Sequence, residues 1–186
     1  MLRSILAILL VAFSVSVNAQ GHNYNYVQGS YGRVDLDIPG LDVDGDGFGF
    51  AASFAIDENF HIFGEYQTAD FNFGADLDLM EFGAGYHTDI SPNLDVYANL
   101  SYLEFDAGAG FDEDAFAVGL GLRGYVSDAV ELYGGLDYVD FDNSDSETRA
   151  NAGFMMALTD SLGVGVEASF WDDVNVYLLS ARYYFE

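Results

Sequence analysis

The sequence predicts an all-β fold, an antiparallel up-and-down transmembrane β-barrel of ten strands, with eight as the alternative count. Three observations carry that expectation. The 186 residues hold 31 Asp and Glu against 5 Arg and no Lys, a formal charge of −26, yet 51% of them are hydrophobic and 16% aromatic. An acidic disordered chain lacks the apolar side chains for such a composition, so charge and apolar surface must be segregated. Beyond the N-terminal run, no apolar stretch reaches the roughly 20 residues that a spanning helix needs, which leaves strands as the spanning element. From Phe48 onward, apolar side chains recur at every second position in segments of about ten residues.

The same composition excludes whole classes of function. So few cations cannot neutralise a phosphate backbone, which removes nucleic acid as a partner. Zero cysteines remove a disulfide framework, a thiolate metal site and a cysteine nucleophile.

Taken in order, residues 1–19 read as a cleaved secretory signal: Arg3, the apolar run Ile5 to Phe13, then the small-residue ending Val17-Asn18-Ala19. Residues 20–186 are expected to form a single barrel domain. A first, less regular strand lies near Tyr24 to Asp35, and Arg33 within it has no assignable face. Then Phe48, Phe50, Ala52, Phe54 and Ile56 share one face against Gly47, Gly49, Ala51, Ser53 and Ala55. Phe60, Ile62 and Tyr66 alternate with His61, Phe63, Glu65 and Gln67, and Met80, Phe82, Ala84 and Tyr86 with Glu81, Gly83, Gly85 and His87. The pattern continues through Leu94 to Tyr102, Phe116 to Leu122, Val130 to Tyr138, Ala152 to Leu158, Leu162 to Phe170 and Tyr177 to Phe185. The connections alternate in kind. Tight turns at Asp57-Glu58-Asn59, Ser91-Pro92-Asn93, Ser127-Asp128 and Thr159-Asp160-Ser161 use turn-forming residues. The others, Asp37 to Asp46, Asn72 to Asp76, Ala107 to Asp114, Asp142 to Glu147 and Asp172-Asp173, are mostly longer and all acidic. Short turns on one side and longer loops on the other are the habit of outer-membrane barrels, whose short turns face the periplasm.

A soluble sandwich or lipocalin-like barrel would put the second face in water, rich in Lys, Glu, Thr and Ser. Here that face is mostly glycine and alanine with isolated charges, as a narrow closed lumen requires. Tyr66, Tyr86, Tyr102, Tyr138, Tyr183 and Phe185 lie near strand ends, where aromatic girdles meet lipid headgroups.

The signal, the alternating strands and the terminal Leu178-Leu179-Ser180-Ala181-Arg182-Tyr183-Tyr184-Phe185 together resemble the opacity-type (OmpA-like) small outer-membrane β-barrel family of Gram-negative bacteria. Tyr24-Asn25-Tyr26-Val27, Asp44-Gly45-Asp46-Gly47, Asn59-Phe60-His61-Ile62-Phe63-Gly64 and Gly83-Ala84-Gly85-Tyr86-His87-Thr88 resemble a subgroup of acidic, vesicle-associated barrels within it. The resemblance implies residence in the outer membrane and its vesicles, contact with lipid and lipopolysaccharide, and assembly by the barrel-assembly machinery. Glu186 follows the terminal aromatic, a departure from the usual end of such chains. The family carries no common catalytic residue.

The scarce cations mark the candidate site. Arg123, Arg149 and Arg182 fall on the lumen face with Glu65, Glu81, Asp95, Glu131, Asp137 and Glu167, which predicts buried ion pairs that plug the lumen. Turn positions set Arg123 near Glu131, Asp137 near Arg149, and Glu65 opposite Glu81, whose carboxylates share a proton or a cation from Arg123 or Arg182. Asp42, Asp44 and Asp46 match the first half of a calcium loop without the closing Glu, so weak Ca2+ binding is the extent of the cofactor expectation. His22, His61 and His87 map to the short-turn end, His61 and His87 as lumen residues hydrogen-bonded to their neighbours, and no serine has a nucleophile's surroundings, so no enzyme is expected. The function expected is a structural or surface-interaction protein with acidic external loops, with a narrow cation-preferring channel as the alternative.

Overall fold

The computed structural model describes residues 22–37, 43–72, 74–108 and 112–186; the expected signal at 1–19 lies outside them. Ten strands follow one another: β1 Tyr26–Leu36, β2 Val43–Ala55, β3 Phe60–Phe71, β4 Asp76–Ser91, β5 Leu94–Asp106, β6 Asp112–Ser127, β7 Val130–Phe141, β8 Glu147–Ala157, β9 Leu162–Phe170 and β10 Val174–Tyr184. Each pairs antiparallel with its sequence neighbours, and β1 closes on β10. The closed ladder leaves no strand edge, the condition for backbone to cross hydrocarbon.

The tight turns are made by side chains. Asp57 accepts from the backbone N–H of Asn59 (2.8 Å) and Phe60 (2.9 Å), which holds its carboxyl below the usual carboxylate range. Thr159 Oγ1 does the same for Ser161 and Leu162. At the other end, Gly74 and Gly108 take positive φ (85° and 68°), a conformation with a steric cost for other residues.

Through the middle of the barrel the faces are inverted relative to a soluble protein. Phe48, Leu120 and Leu179 point outward with 64%, 63% and 63% of their surface exposed, and Phe50, Phe82, Phe116, Leu136 and Tyr183 continue the band. A continuous apolar belt of this kind has its natural solvent in lipid.

Towards the loop end the parity of the pattern changes. In β3 the outward residues run Ile62, Tyr66, then Thr68, Asp70; in β4, Phe82, Met80, then Asp78, Asp76; in β5, Leu100, Tyr102, then Glu104, Asp106; in β6, Val118, Phe116, then Asp114, Asp112. The inward residues at the same heights are apolar. Val34, Val43, Ala69 and Phe71 form one buried cluster, and Leu103, Ala115, Ala117 and Val139 form another. The barrel's outer end is therefore built like a soluble barrel, apolar within and acidic without. The sequence reading put Asp37 to Asp46 and Ala107 to Asp114 in loops; the strands run further, to Leu36 and from Val43 and Asp112, because their inward side chains find this second core.

The outward acids form a collar with little counter-charge. Asp35 stands opposite Asp44, Asp46 opposite Asp70, Asp70 opposite Asp76, Asp78 opposite Asp106, Glu104 opposite Asp114 and Asp106 opposite Asp112. Arg33 faces outward into the collar and pairs with Asp35 (2.7 Å) and Asp44 (3.2 Å). Like charges facing across a ladder are destabilising and salt screens them. The urea midpoint of the refolded barrel in neutral detergent should therefore rise between about 0.05 M and about 1 M NaCl. Asp70→Asn should raise the low-salt stability by roughly 0.5 kcal/mol; a midpoint that falls with salt contradicts the collar.

Candidate functional site

The lumen holds three layers, each set by the inward parity of the strands. The layer nearest the short turns is cationic and aromatic. Arg123 on β6 and Glu131 on β7 form a buried ion pair, with a second bond from Arg123 Nη2 to Glu131 Oε2 (3.2 Å). The ladder sets Arg123 opposite Tyr133 and Tyr125 opposite Glu131, so the pair is diagonal. Arg182 on β10 is 4% exposed, and among the described residues it makes no ion pair. Its guanidinium lies over the rings of Tyr26 (4.2 Å), Tyr133 (5.4 Å) and Tyr184 (5.9 Å), a cation–π cage. Its Nε donates to Gln28 Oε1 (2.7 Å), and Gln28 Nε2 donates to Glu167 Oε1 (2.7 Å). A neutral amide thus relays between cation and carboxylate.

The middle layer is organised by Arg149 on β8. Its Nε donates to Asp137 Oδ2 (2.9 Å), its ladder partner on β7. Its Nη1 and Nη2 reach across the lumen to Glu81 Oε2 (2.9 Å) and Oε1 (3.2 Å) on β4. Ser101 donates to Glu81 (2.7 Å) and Asn151 to Asp137 (3.0 Å), so each carboxylate has a second donor, as a buried charge requires. Glu65 does stand opposite Glu81. The cation on Glu81 is Arg149, however, and neither Arg123 nor Arg182: the first is engaged by Glu131 and the second is caged by tyrosines. Glu65 accepts from Gln67 Nε2 instead. A cavity of about 260 Å³ remains here, lined by Gln28, Glu65, Tyr97, Asn99, Arg149 and Glu167 among others.

The third layer is the apolar core of the outer end. Trp171 packs on Phe105 and Phe141 (6.0 and 6.3 Å between ring centroids) and lies 5.3 Å from the Arg149 guanidinium carbon. Leu103, Ala115 and Val139 around it have no exposed surface. The charged layer is thus bordered on its outer side by apolar side chains.

Of the calcium motif, Asp42 lies outside the described residues, and Asp44 and Asp46 sit on β2 pointing outward. Same-face strand residues are nearly 7 Å apart along the chain, so the two do not converge as alternate residues of a loop would. Asp44 is also engaged by Arg33 and by Asn72 Nδ2 (2.9 Å). Among the described residues no group of three His, Asp or Glu is placed to hold a metal.

The sequence reading missed Gln28 and the tyrosine cage. Gln28 lies in the strand whose alternation is least regular, and tyrosines inside a barrel look in sequence like girdle residues. The glycines on the lumen face are a legible signal of where such rings lie. A Cβ on Gly153 would collide with the Tyr133 ring, and one on Gly121 with Tyr97.

The fold is similar to that of several bacterial barrels. The β domain of the Bordetella autotransporter BrkA matches with a TM-score of 0.54 at 12% identity, over 88% of this chain and 100% of that one. An outer membrane channel from Pseudomonas putida F1 matches with 0.54 at 7%, over 92% and 99%. The KdgM porin in complex with disordered oligogalacturonate matches with 0.52 at 9%, over 87% and 99%. At these identities the likeness is one of fold. No family model matches the sequence, and no curated protein does.

Gly153→Ala should destabilise the refolded barrel by roughly 1–3 kcal/mol, because Tyr133 is forced off its seat. In a Tyr133→Ala background the same change should cost little; an equal cost in both backgrounds contradicts the seat.

Proposed function

We propose that the chain is a non-enzymatic outer-membrane β-barrel protein of a Gram-negative bacterium, with a sealed lumen and a structural or surface-interaction role exercised by its acidic outer end. The observation that carries the proposal is the apolar layer across the outer lumen: Leu103, Ala115 and Val139 are fully buried inside a barrel, above an arginine already committed to two carboxylates. A water-filled passage would wet those side chains. The apolar belt and the likeness of the fold to outer-membrane barrels support the location. Lipid and lipopolysaccharide are the proposed neighbours, met through the aromatics and leucines of the belt, with the acidic collar held beyond it in water. Export by the signal at 1–19, assembly by the barrel machinery, presence in vesicles and kinship with the opacity-type family belong to the same proposal.

The competing reading, a narrow cation-preferring channel, draws on the excess of carboxylates around the central cavity. Conductance separates the two. Purified barrel in a planar bilayer should be electrically silent at neutral pH, and steady cation-selective steps would establish the channel instead.

A further inference from the structure

The chain's own N-terminal segment enters the inner mouth of the barrel. Residues 22–25 precede β1, and the side chains of His22 and Tyr24 enter the lumen rather than the solvent: His22 has 1% of its side chain exposed and Tyr24 is 6% exposed. Asp95 on β5 meets both: its Oδ1 lies 3.0 Å from His22 Nδ1, and its Oδ2 accepts from the Tyr24 hydroxyl (3.2 Å). His22 stacks on Tyr125 of β6 (4.7 Å). The Tyr24 ring stacks on His87 of β4 (3.6 Å, 14° between planes) and leans on His61 of β3 (4.7 Å). Asn23 Nδ2 donates to the carbonyl of Phe185, and the Phe185 N–H donates to the carbonyl of Asn25.

The seat of this plug is a pair of histidines. His61 Nδ1 and His87 Nδ1 lie 3.1 Å apart, both side chains buried. A hydrogen bond between two like nitrogens needs one bare and one protonated, so the pair is made with at most one positive charge. Two imidazolium rings would bring N–H against N–H and charge against charge at a buried site. The other charges facing the pair do not offset that. Arg123 lies over the Tyr24 ring at 4.8 Å and adds positive charge. Its partner Glu131 is already spent on it, and Asp95 is shared between His22 and Tyr24. Asp57 lies in the turn before β3 and Asp89 near the end of β4, both exposed to solvent.

We propose that this assembly is an acid-released latch. Above the titration of the histidine pair the neutral couple seats Tyr24 and the plug is held. As the pH falls through that titration the couple takes up one proton, which the Nδ1–Nδ1 bond tolerates, and then a second, which leaves no bare nitrogen in the contact, and the seat is lost. His22 works against release, since its protonation strengthens the bond to Asp95. The latch therefore opens on the His61–His87 pair and not on histidine charge in general. Opening uncovers the cationic–aromatic layer to the periplasmic side and leaves the apolar outer seal in place.

Hydrogen exchange on the full barrel in lipid, followed by mass spectrometry of the peptide covering residues 22–27, tests the proposal. After correction for the intrinsic rate, protection of this peptide should fall at least about tenfold between about pH 7.5 and about pH 3.5, while peptides from β6 and β7 keep theirs. His61→Asn and, as a second route to the same end, His87→Gln each leave at most one imidazole in the pair and should keep the segment protected at the lower pH. His22→Gln should make release easier. The proposal is overturned if the wild-type segment is equally protected at both pH values, or if the His61 and His87 variants lose protection with acid as the wild type does.

Discussion

Arg149 is where the barrel is tied across its own width. From β8 it is held by its ladder partner Asp137 on β7 and spans the lumen to a two-pronged contact with Glu81 on β4, four places from β8 in a ring of ten. A barrel of this size leaves an interior that must be filled by side chains, and any charge inside it must be paired there or suffer the cost of burial. The contact meets both demands and fixes what lies on either side. Trp171 and the apolar core rest on the outer side of the guanidinium, and the remaining cavity lies beside it. In a chain with so few cations, each inner arginine solves a different problem: a carboxylate pair for Arg149, one carboxylate for Arg123, and aromatic faces with an amide relay for Arg182.

The strand number, the inner turns and the lipid belt were legible in the sequence because each rests on a local rule: period two, turn-forming side chains, and apolar residues at one parity. The ladder pairs Asp137–Arg149 and Glu65–Glu81 followed from counting outward from those turns. The outer core was not legible, and the reason is physical. Period two says which residues share a face but not which face meets lipid. In Asp76-Leu77-Asp78-Leu79-Met80-Glu81-Phe82 the apolar parity changes between Leu79 and Met80, and the strand runs straight through. Read as a fixed apolar-outward pattern, the first four residues look like loop. Read as a change of solvent, they mark the height at which the barrel leaves the hydrocarbon.

That height gives the net charge its place. Five of the acids that looked like loop charges, Asp44, Asp46, Asp76, Asp112 and Asp114, are outward residues of paired strands, each opposite another acid, with Arg33 among them. The acidic collar and the apolar core of the outer end are two faces of the same strand extensions and arise from one feature of the sequence.

An ion pair across the lumen holds these layers together. A double-mutant cycle on Arg149 and Glu81, with Arg149→Met, Glu81→Met and both together, reads it as the unfolding free energy of the refolded barrel. Arg149→Met strands two buried carboxylates, Glu81 and Asp137, and should cost roughly 3–5 kcal/mol; Glu81→Met leaves Arg149 with Asp137 alone and should cost less, and the double variant should cost clearly less than the two singles added. Coupling of about 2 kcal/mol or more is the predicted result; single costs that simply add, with coupling below about 0.5 kcal/mol, would contradict the account.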